Sequence, residues 1–315
     1  MKNKKALVTG GCGFIGSNLS ESLVKEGYDV TVVDNMSSAR SDLDDFIARN
    51  GKIEIVPACF ASDQILSRVK KKEFDFVFHN AAVPRVSYSV ENPYLTTEIN
   101  VSKTSKLMES CVGNIKRFVF ASSSSVYGGA DVLPTPTSHE KDPKSPYAWQ
   151  KSSIEDLINI FCSLYDFDAV CLRYFNVFGP GQFGDSAYAT AVSAWCHAIK
   201  EGKPLRSDGT GEQTRDMCYV DNVVQANLKA AAIDKKMTGE RFNVACGDRV
   251  SNNQILDFLK EKFKEIQVQN APTRPGDVMH TLADIQETKD VLGYEPSVTF
   301  WDGLEKTLSW WKLNY

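Results

Sequence analysis

The sequence predicts an α/β fold, a doubly wound parallel sheet followed by a smaller C-terminal α/β lobe. Three observations predict it. Short apolar runs of strand length alternate with segments of helical spacing, the pattern of parallel strands joined by right-handed crossovers. A glycine-rich turn, Gly10-Gly11-Cys12-Gly13, links the first apolar run to the first helix. A second turn, Gly179-Pro180-Gly181, divides residues 1–178 from 179–315, with some segments of the second part expected to return to the first. At 315 residues the chain is long enough for one large domain or two lobes.

The first strand, Lys5-Ala6-Leu7-Val8-Thr9, runs into Gly10-Gly11-Cys12-Gly13-Phe14-Ile15-Gly16. Gly10, Gly13 and Gly16 permit a tight turn, close backbone approach to a pyrophosphate, and close packing of helix on strand. A helix beginning near Phe14 and Ile15 aims its free N–H groups and its dipole at that anion. The second strand, Val30-Thr31-Val32-Val33, ends in Asp34. A carboxylate there holds both hydroxyls of an adenosine ribose and repels a 2′-phosphate, so a Rossmann-type fold carrying NAD rather than NADP is expected. Asn35 and Ser37, in the turn after Asp34, belong to the same predicted cofactor site.

Strands three and four are predicted at 53–56 and 74–79, the fourth leading into Asn80-Ala81-Ala82. His79 has no acid–base partner evident in the sequence and reads as a structural strand-end residue. A further buried strand, Phe118-Val119-Phe120-Ala121, precedes Ser122-Ser123-Ser124-Ser125-Val126-Tyr127-Gly128. Ser145-Pro146 then opens a helix over 146–165, since proline suits a first turn where a missing N–H costs little. Tyr147 and Lys151, at i and i+4, share one helix face. A lysine ammonium beside a phenol favours the phenolate and lowers its pKa. Ser123, at the strand end, can then share a proton with a substrate alcohol and with Tyr147, an arrangement suited to alcohol oxidation. A Tyr-x-x-x-Lys spacing alone is common by chance. Its weight comes from the order along the chain: dinucleotide turn, serine segment, then tyrosine and lysine.

Bulk properties narrow the class. Hydrophobic content of 42% and charged content of 24% are those of an ordinary globular protein. A net charge of −4 argues against a nucleic-acid binder. The eight cysteines are scattered without a Cys-x-x-Cys pair, so neither a disulfide scaffold nor a metal site is expected. No stretch approaches the ~20 apolar residues needed to span a bilayer. The basic N-terminus carries too short an apolar run for a signal peptide, and a cytoplasmic location is expected.

In this order the motifs resemble the extended short-chain dehydrogenase/reductase superfamily, and within it the NAD-dependent nucleotide-sugar epimerase/dehydratase family. The resemblance runs from Lys5 to near the C-terminus. It includes Tyr174-Phe175-Asn176-Val177-Phe178-Gly179-Pro180, Asp216-Met217-Cys218-Tyr219 and the stretch from Gly276-Asp277-Val278 through His280-Thr281-Leu282-Ala283-Asp284. It implies a catalytic Ser123, Tyr147 and Lys151, with NAD also contacted by Cys59, Phe60, Ala81, Ala82, Asn100 and Tyr174. Cys59 stands where the family has an adenine-binding aspartate, and Asp63 is the nearest acid. For a UDP-sugar substrate the resemblance implies Ser123, Ser124, Tyr147, Asn176, Arg215, Arg274 and Asp277. Thr281 would lie beside the sugar, where a small residue leaves room for a 2-acetamido group. For Arg215 the alternative is a surface ion pair with Asp216 or Glu212. Arg85 falls near the expected sugar site, where it could bind a uronate carboxylate or face solvent. Family members form homodimers through helices corresponding to 92–111 and 146–165. Ile154, Leu157, Ile158, Phe161 and Leu164 supply an apolar stripe for that contact, or for burial against the chain's own sheet.

The expected reaction is NAD-dependent 4-epimerisation of a UDP-hexose, UDP-GlcNAc/UDP-GalNAc and/or UDP-Glc/UDP-Gal, through a 4-keto sugar. Dehydratases of the superfamily carry Thr-Asp-Glu where this chain has Ser123-Ser124-Ser125, and hydroxyls are poor substitutes for those carboxyl groups. UDP-glucuronate 4-epimerisation or UDP-uronate decarboxylation is the alternative. A non-catalytic NAD-binding protein ranks last, because such proteins usually lose the Tyr or Lys that this chain keeps.

Overall fold

The computed structural model of the chain describes residues 3–40, 42–84, 86–182, 184, 190–273 and 278–313. At its centre are β1 (Lys5–Thr9), β2 (Asp29–Asp34), β3 (Glu54–Pro57), β4 (Phe76–His79), β5 (Arg117–Ser123), β6 (Ala169–Tyr174) and a seventh strand, Thr238–Val244. Across the sheet the order is Thr238–Val244, β6, β5, β4, β1, β2, β3. Every adjacent pair is parallel. A parallel sheet covered on both faces must be apolar on both. Accordingly Ala6 and Val8 enter one core and Leu7 the other. The doubly wound sheet expected from the sequence is therefore present, and a segment from beyond residue 179 forms its edge.

α1 (Phe14–Lys25) and the helix Val220–Ala232 pack together over one face. The other face is covered by Asp63–Lys70, by a helical stretch over 93–111 and by Pro146–Leu164. The 93–111 stretch is α-helical at Pro93–Thr97 and Thr104–Cys111, with a π-helical turn, Glu98–Lys103, between them. Strand order reverses between β1 and β4, and ligands bind such sheets in the crevice beyond the carboxyl ends at that reversal.

The apolar stripe on Pro146–Leu164 divides in two. Ile154 and Ile158 are fully buried against the chain's own sheet, while Leu164 is 68% exposed. A step of three residues falls about 60° short of a full helical turn, and Leu157, half-buried, packs against the same core without being enclosed by it. Ile154 and Ile158 are thus ordinary core, a correction to their place in a subunit contact.

Beyond residue 179, strands Leu205–Asp208 and Val268–Ala271 pair in parallel as a two-stranded sheet, and helices Ala191–Lys200 and Asn252–Lys262 lie in the same part of the chain. The closing helix, Phe300–Trp310, buries Phe300, Leu304 and Leu308, as its amphipathic spacing predicts. Among the described residues no helix is long and apolar enough to cross a membrane.

Candidate active site

β5 delivers its last residues to the crevice. Ser123 caps the 3₁₀ turn Ser124–Tyr127, its Oγ accepting from the Ser125 N–H at 3.2 Å. Ser145 caps the next helix, accepting from the Ala148 N–H at 3.2 Å, and Pro146 fills the first turn. Tyr147 therefore emerges at a fixed point of a rigid helix start, with its own N–H donated to Ser89 Oγ at 3.1 Å. Lys151 lies one turn on, its Nζ donating to the Ala121 carbonyl at 2.7 Å. That ammonium sits 4.8 Å from the Phe120 ring centroid and 5.9 Å from that of Tyr147.

The electrostatics correct one expectation. Burial pushes the Tyr147 phenol up to about 12, against a downward pull from the Ser123 hydroxyl. Burial also pushes Lys151 down to about 7, with the Glu155 carboxylate pulling the other way. The ammonium donates to a backbone carbonyl, and the downward pull on the phenol comes from Ser123. Desolvation wins over Lys151, so this pair by itself does not produce a phenolate near neutral pH. His79 is structural, as expected: it is buried, bonded to Thr9 Oγ1 at 2.7 Å and Thr104 Oγ1 at 2.9 Å, and pushed down to about 3 by burial.

Tyr147 and Lys151 form one wall of a cavity of about 700 Å³. Gly10, Gly13, Phe14, Ile15 and Gly16 line it from the first turn, and Asp34, Asn35 and Ser37 from the end of β2. Cys59 and Phe60 reach it after β3, Ala81 and Ala82 after β4, and Tyr174 from the end of β6. The glycine turn leaves no room for a side chain at Gly16, where a Cβ would stand 2.2 Å from the Gly10 carbonyl oxygen. At Gly10, where φ is +68°, a Cβ would stand 2.8 Å from the Ala81 nitrogen. Gly13 caps α1 without a side chain and the first turn holds no acid, so the positive end of the helix faces the cavity. Asp34 is held at the rim by N–H bonds from Cys12 at 3.0 Å and Met36 at 2.8 Å. A dinucleotide's pyrophosphate and ribose fit these groups. Asp63 is 97% exposed and paired with Lys106, leaving Cys59 at the cavity wall.

Asn100 does not line the cavity. Its Oδ1 accepts from the Val83 N–H at 2.8 Å, and its Nδ2 donates to Val83 O at 3.1 Å and Gln150 Oε1 at 2.8 Å. It acts on the cavity through Val83, which does line it.

Of the residues assigned to the substrate, Tyr147 lines the cavity with Ser123 beside it, while Asn176 and Thr281 gather around Asp216. Asn176, at φ +34°, donates through Nδ2 to Asp216 O at 2.9 Å and to Thr281 Oγ1 at 3.2 Å. Thr281 Oγ1 also accepts from the Asp216 N–H at 3.1 Å. Arg215 Nη1 donates to Thr214 O at 2.9 Å and Met279 O at 3.2 Å. Asp216 is fully buried, its carboxylate accepting N–H bonds from Cys246 at 2.9 Å and from Gly247 and Ala283 at 3.1 Å each. Burial pushes it up to about 7 against those bonds. Glu212, the other acid considered for Arg215, accepts from Asn253 at 2.6 Å. Ser124 opens the turn beside Ser123; Arg85, Arg274 and Asp277 lie outside the described residues.

Two features escaped the sequence reading. Tyr88, Leu95, Ile99 and Lys103 also line the cavity, from helices that carry no recognisable motif. Glu155 is fully buried with Arg173 against it at 2.7 Å, and its i+4 spacing from Lys151 was a signal in plain view.

Comparison with known proteins agrees with this geometry. A putative UDP-glucose 4-epimerase of Methanocaldococcus jannaschii is 32% identical over 312 residues, covering 98% of each chain. The structure of a UDP-N-acetylglucosamine 4-epimerase from Methanobrevibacter ruminantium, in complex with UDP-N-acetylmuramic acid, superposes with a TM-score of 0.90 at 35% identity, covering 99% of each chain. A UDP-glucuronic acid 4-epimerase from Bacillus cereus, in complex with UDP-glucuronic acid and NAD, superposes with a TM-score of 0.89 at 30% identity, covering 99% of this chain and all of that one. The family model described as the NAD dependent epimerase/dehydratase family matches residues 6–245, and the chain belongs to that family.

Proposed function

We propose that the chain is an NAD-dependent UDP-hexose 4-epimerase, acting on UDP-GlcNAc/UDP-GalNAc and/or UDP-Glc/UDP-Gal. The observation that carries this reading is the Tyr147–Lys151 face forming a wall of a cavity cut for a dinucleotide, with Ser123 at the strand end beside it. NAD, when bound, supplies a reversible hydride acceptor and a positive charge beside the phenol. Tyr147 takes the proton of the sugar 4-hydroxyl, with Ser123 bridging, and returns it to the same C4 oxygen once the 4-keto sugar has turned its other face toward the cofactor. It serves as base and then acid, so its pKa must be brought toward the working pH. Lys151, anchored on Ala121, contributes to that field.

Asn176, Arg215 and Thr281 are placed on the UDP-sugar side of this site. A division near residue 178 belongs to the same reading, with Thr238–Val244 beyond it paired to β6 in the large sheet. Tyr94, Trp149, Ile160 and Leu164 are exposed apolar residues on the two helices assigned to a homodimer, which supports that assembly. The free cysteines suit the cytoplasm, where thiols stay reduced.

The test is incubation of purified protein with UDP-Glc, UDP-GlcNAc and UDP-GlcA, following the products by NMR. Inversion at C4 without net consumption of NAD is expected for a hexose pair. Loss of carbon dioxide, or conversion of the uronate alone, would replace this reading with the decarboxylase or the uronate epimerase.

A further inference from the structure

Glu155 is fully buried one turn beyond Lys151, on the helix face that also carries Tyr147. Two adjacent residues of β5 are stitched to this face. Ala121 O accepts from Lys151 Nζ at 2.7 Å, and Ser122 Oγ donates to Glu155 Oε1 at 2.6 Å. The residue after Ser122 is Ser123. From β6, Arg173 donates through Nε and Nη2 to the two oxygens of Glu155 at 2.9 and 2.7 Å. Its Nη1 donates onward to Tyr127 Oη at 2.7 Å and Thr137 O at 3.0 Å. Arg241 Nε at 3.3 Å and Lys141 Nζ at 3.9 Å also face the carboxylate. A buried ion pair seldom adds stability over well-packed apolar residues, so its presence against a catalytic helix asks for another role.

We propose that Glu155 is a positioning residue for Ser123, Tyr147 and Lys151: its carboxylate favours the charged form of Lys151 and clamps Ser122, and through it Ser123, to the helix. Among the described residues, the groups that act on Lys151 are His79 from β4, the Phe120 ring from β5, and Tyr147 and Glu155 from its own helix, with Arg173 from β6 paired to that Glu155. His79 is neutral, Arg173 is paired, and Lys103 at the cavity is paired with Glu98 at 3.3 Å. Glu155 supplies the negative charge that opposes the burial of the ammonium. Glu155→Gln keeps an acceptor for Ser122 but removes that charge and leaves Arg173 unbalanced. Both changes disfavour the ammonium.

The inference rests on the epimerase reading, and its test separates the two. Lysine labelled with ¹³C at Cε is titrated by NMR, with Lys151→Met assigning the signal, and the pH profile of kcat/KM is recorded in parallel. In Glu155→Gln the Lys151 titration and the alkaline limb of the profile should both move about one pH unit toward acid. Should that variant fail to fold, Glu155→Gln with Arg173→Met removes both charges, and the same direction is expected with a smaller shift. A folded variant in which the lysine titrates as in the wild type overturns the proposal. A wild type that epimerises no UDP-sugar, while its lysine still shifts on substitution, overturns the epimerase reading and leaves the role of Glu155 standing.

Discussion

The two sides of the site are built in different ways. The cofactor side is made at one turn, where consecutive residues Gly10 to Gly16 shape the cradle and one strand end brings Asp34 to its rim. The side proposed for the substrate centres on Asp216, whose partners are not its neighbours in sequence. Asn176, Thr281 and the backbone at Cys246, Gly247 and Ala283 come from distant parts of the chain and converge on Asp216. One side is fixed by what neighbouring residues permit the backbone to do. The other is fixed by a buried carboxylate that collects N–H groups from several loops. Substitutions should therefore act locally on the first side and spread through the second.

Tyr147→Phe should have the largest effect, lowering kcat by about 10²- to 10⁴-fold while NAD binding is retained, because only the proton-transfer group is removed. Steady-state assay and calorimetry with NAD check both halves; near-normal turnover would move the chemistry to another residue. On the substrate side, the sign of the Asp216 effect follows from its folded pKa, raised to about 7 from 3.8. The native state holds the extra proton between those values, so stability is greatest below the lower one and declines as pH rises toward the upper. The slope is about 1.4 kcal/mol per pH unit for this group. Asp216→Asn should flatten the decline, measured by urea unfolding at pH 5 and pH 7. An unchanged slope would mean that its three N–H partners keep the carboxylate charged throughout.

Asp34→Ser should shift preference toward NADP by about tenfold, some 1.4 kcal/mol, through loss of ribose contacts and of the repulsion of a 2′-phosphate. Equal binding of both cofactors by the wild type would undo this reading of Asp34. The smallest change is expected for Cys59→Asp, an increase in NAD affinity of about threefold from one added charged hydrogen bond at a solvent-facing wall. Calorimetry showing no gain would remove Cys59 from the adenine contact.

The same contrast explains what the sequence made legible. The β1 turn, Asp34 and the Tyr147–Lys151 spacing are short-range statements, and short-range geometry translates directly into position. Glu155 was equally short-range, but a glutamate on a helix is usually a solvated one, and only the burial of Arg173 on β6 reveals otherwise. Asp216 was seen as a neighbour of Arg215, not as a hub, because its partners lie 30, 31 and 67 residues away. The apolar stripe over 154–164 was ambiguous for a related reason. Periodicity marks a face without saying what covers it, and here one sheet takes Ile154 and Ile158 while Leu164 is left outside.

The π turn at Glu98–Lys103 gives the 93–111 stretch one place where its length can change. A π segment carries an extra residue within an otherwise α-helical run. Deleting one residue from that turn would let it relax to α geometry with both flanks still in phase. A deletion within Pro93–Thr97 or Thr104–Cys111 would instead rotate the faces on its two sides by about 100° relative to one another. A deletion scan should register the turn as a narrow permissive band between two intolerant flanks, with Asn100, bonded to Val83, the exception within it.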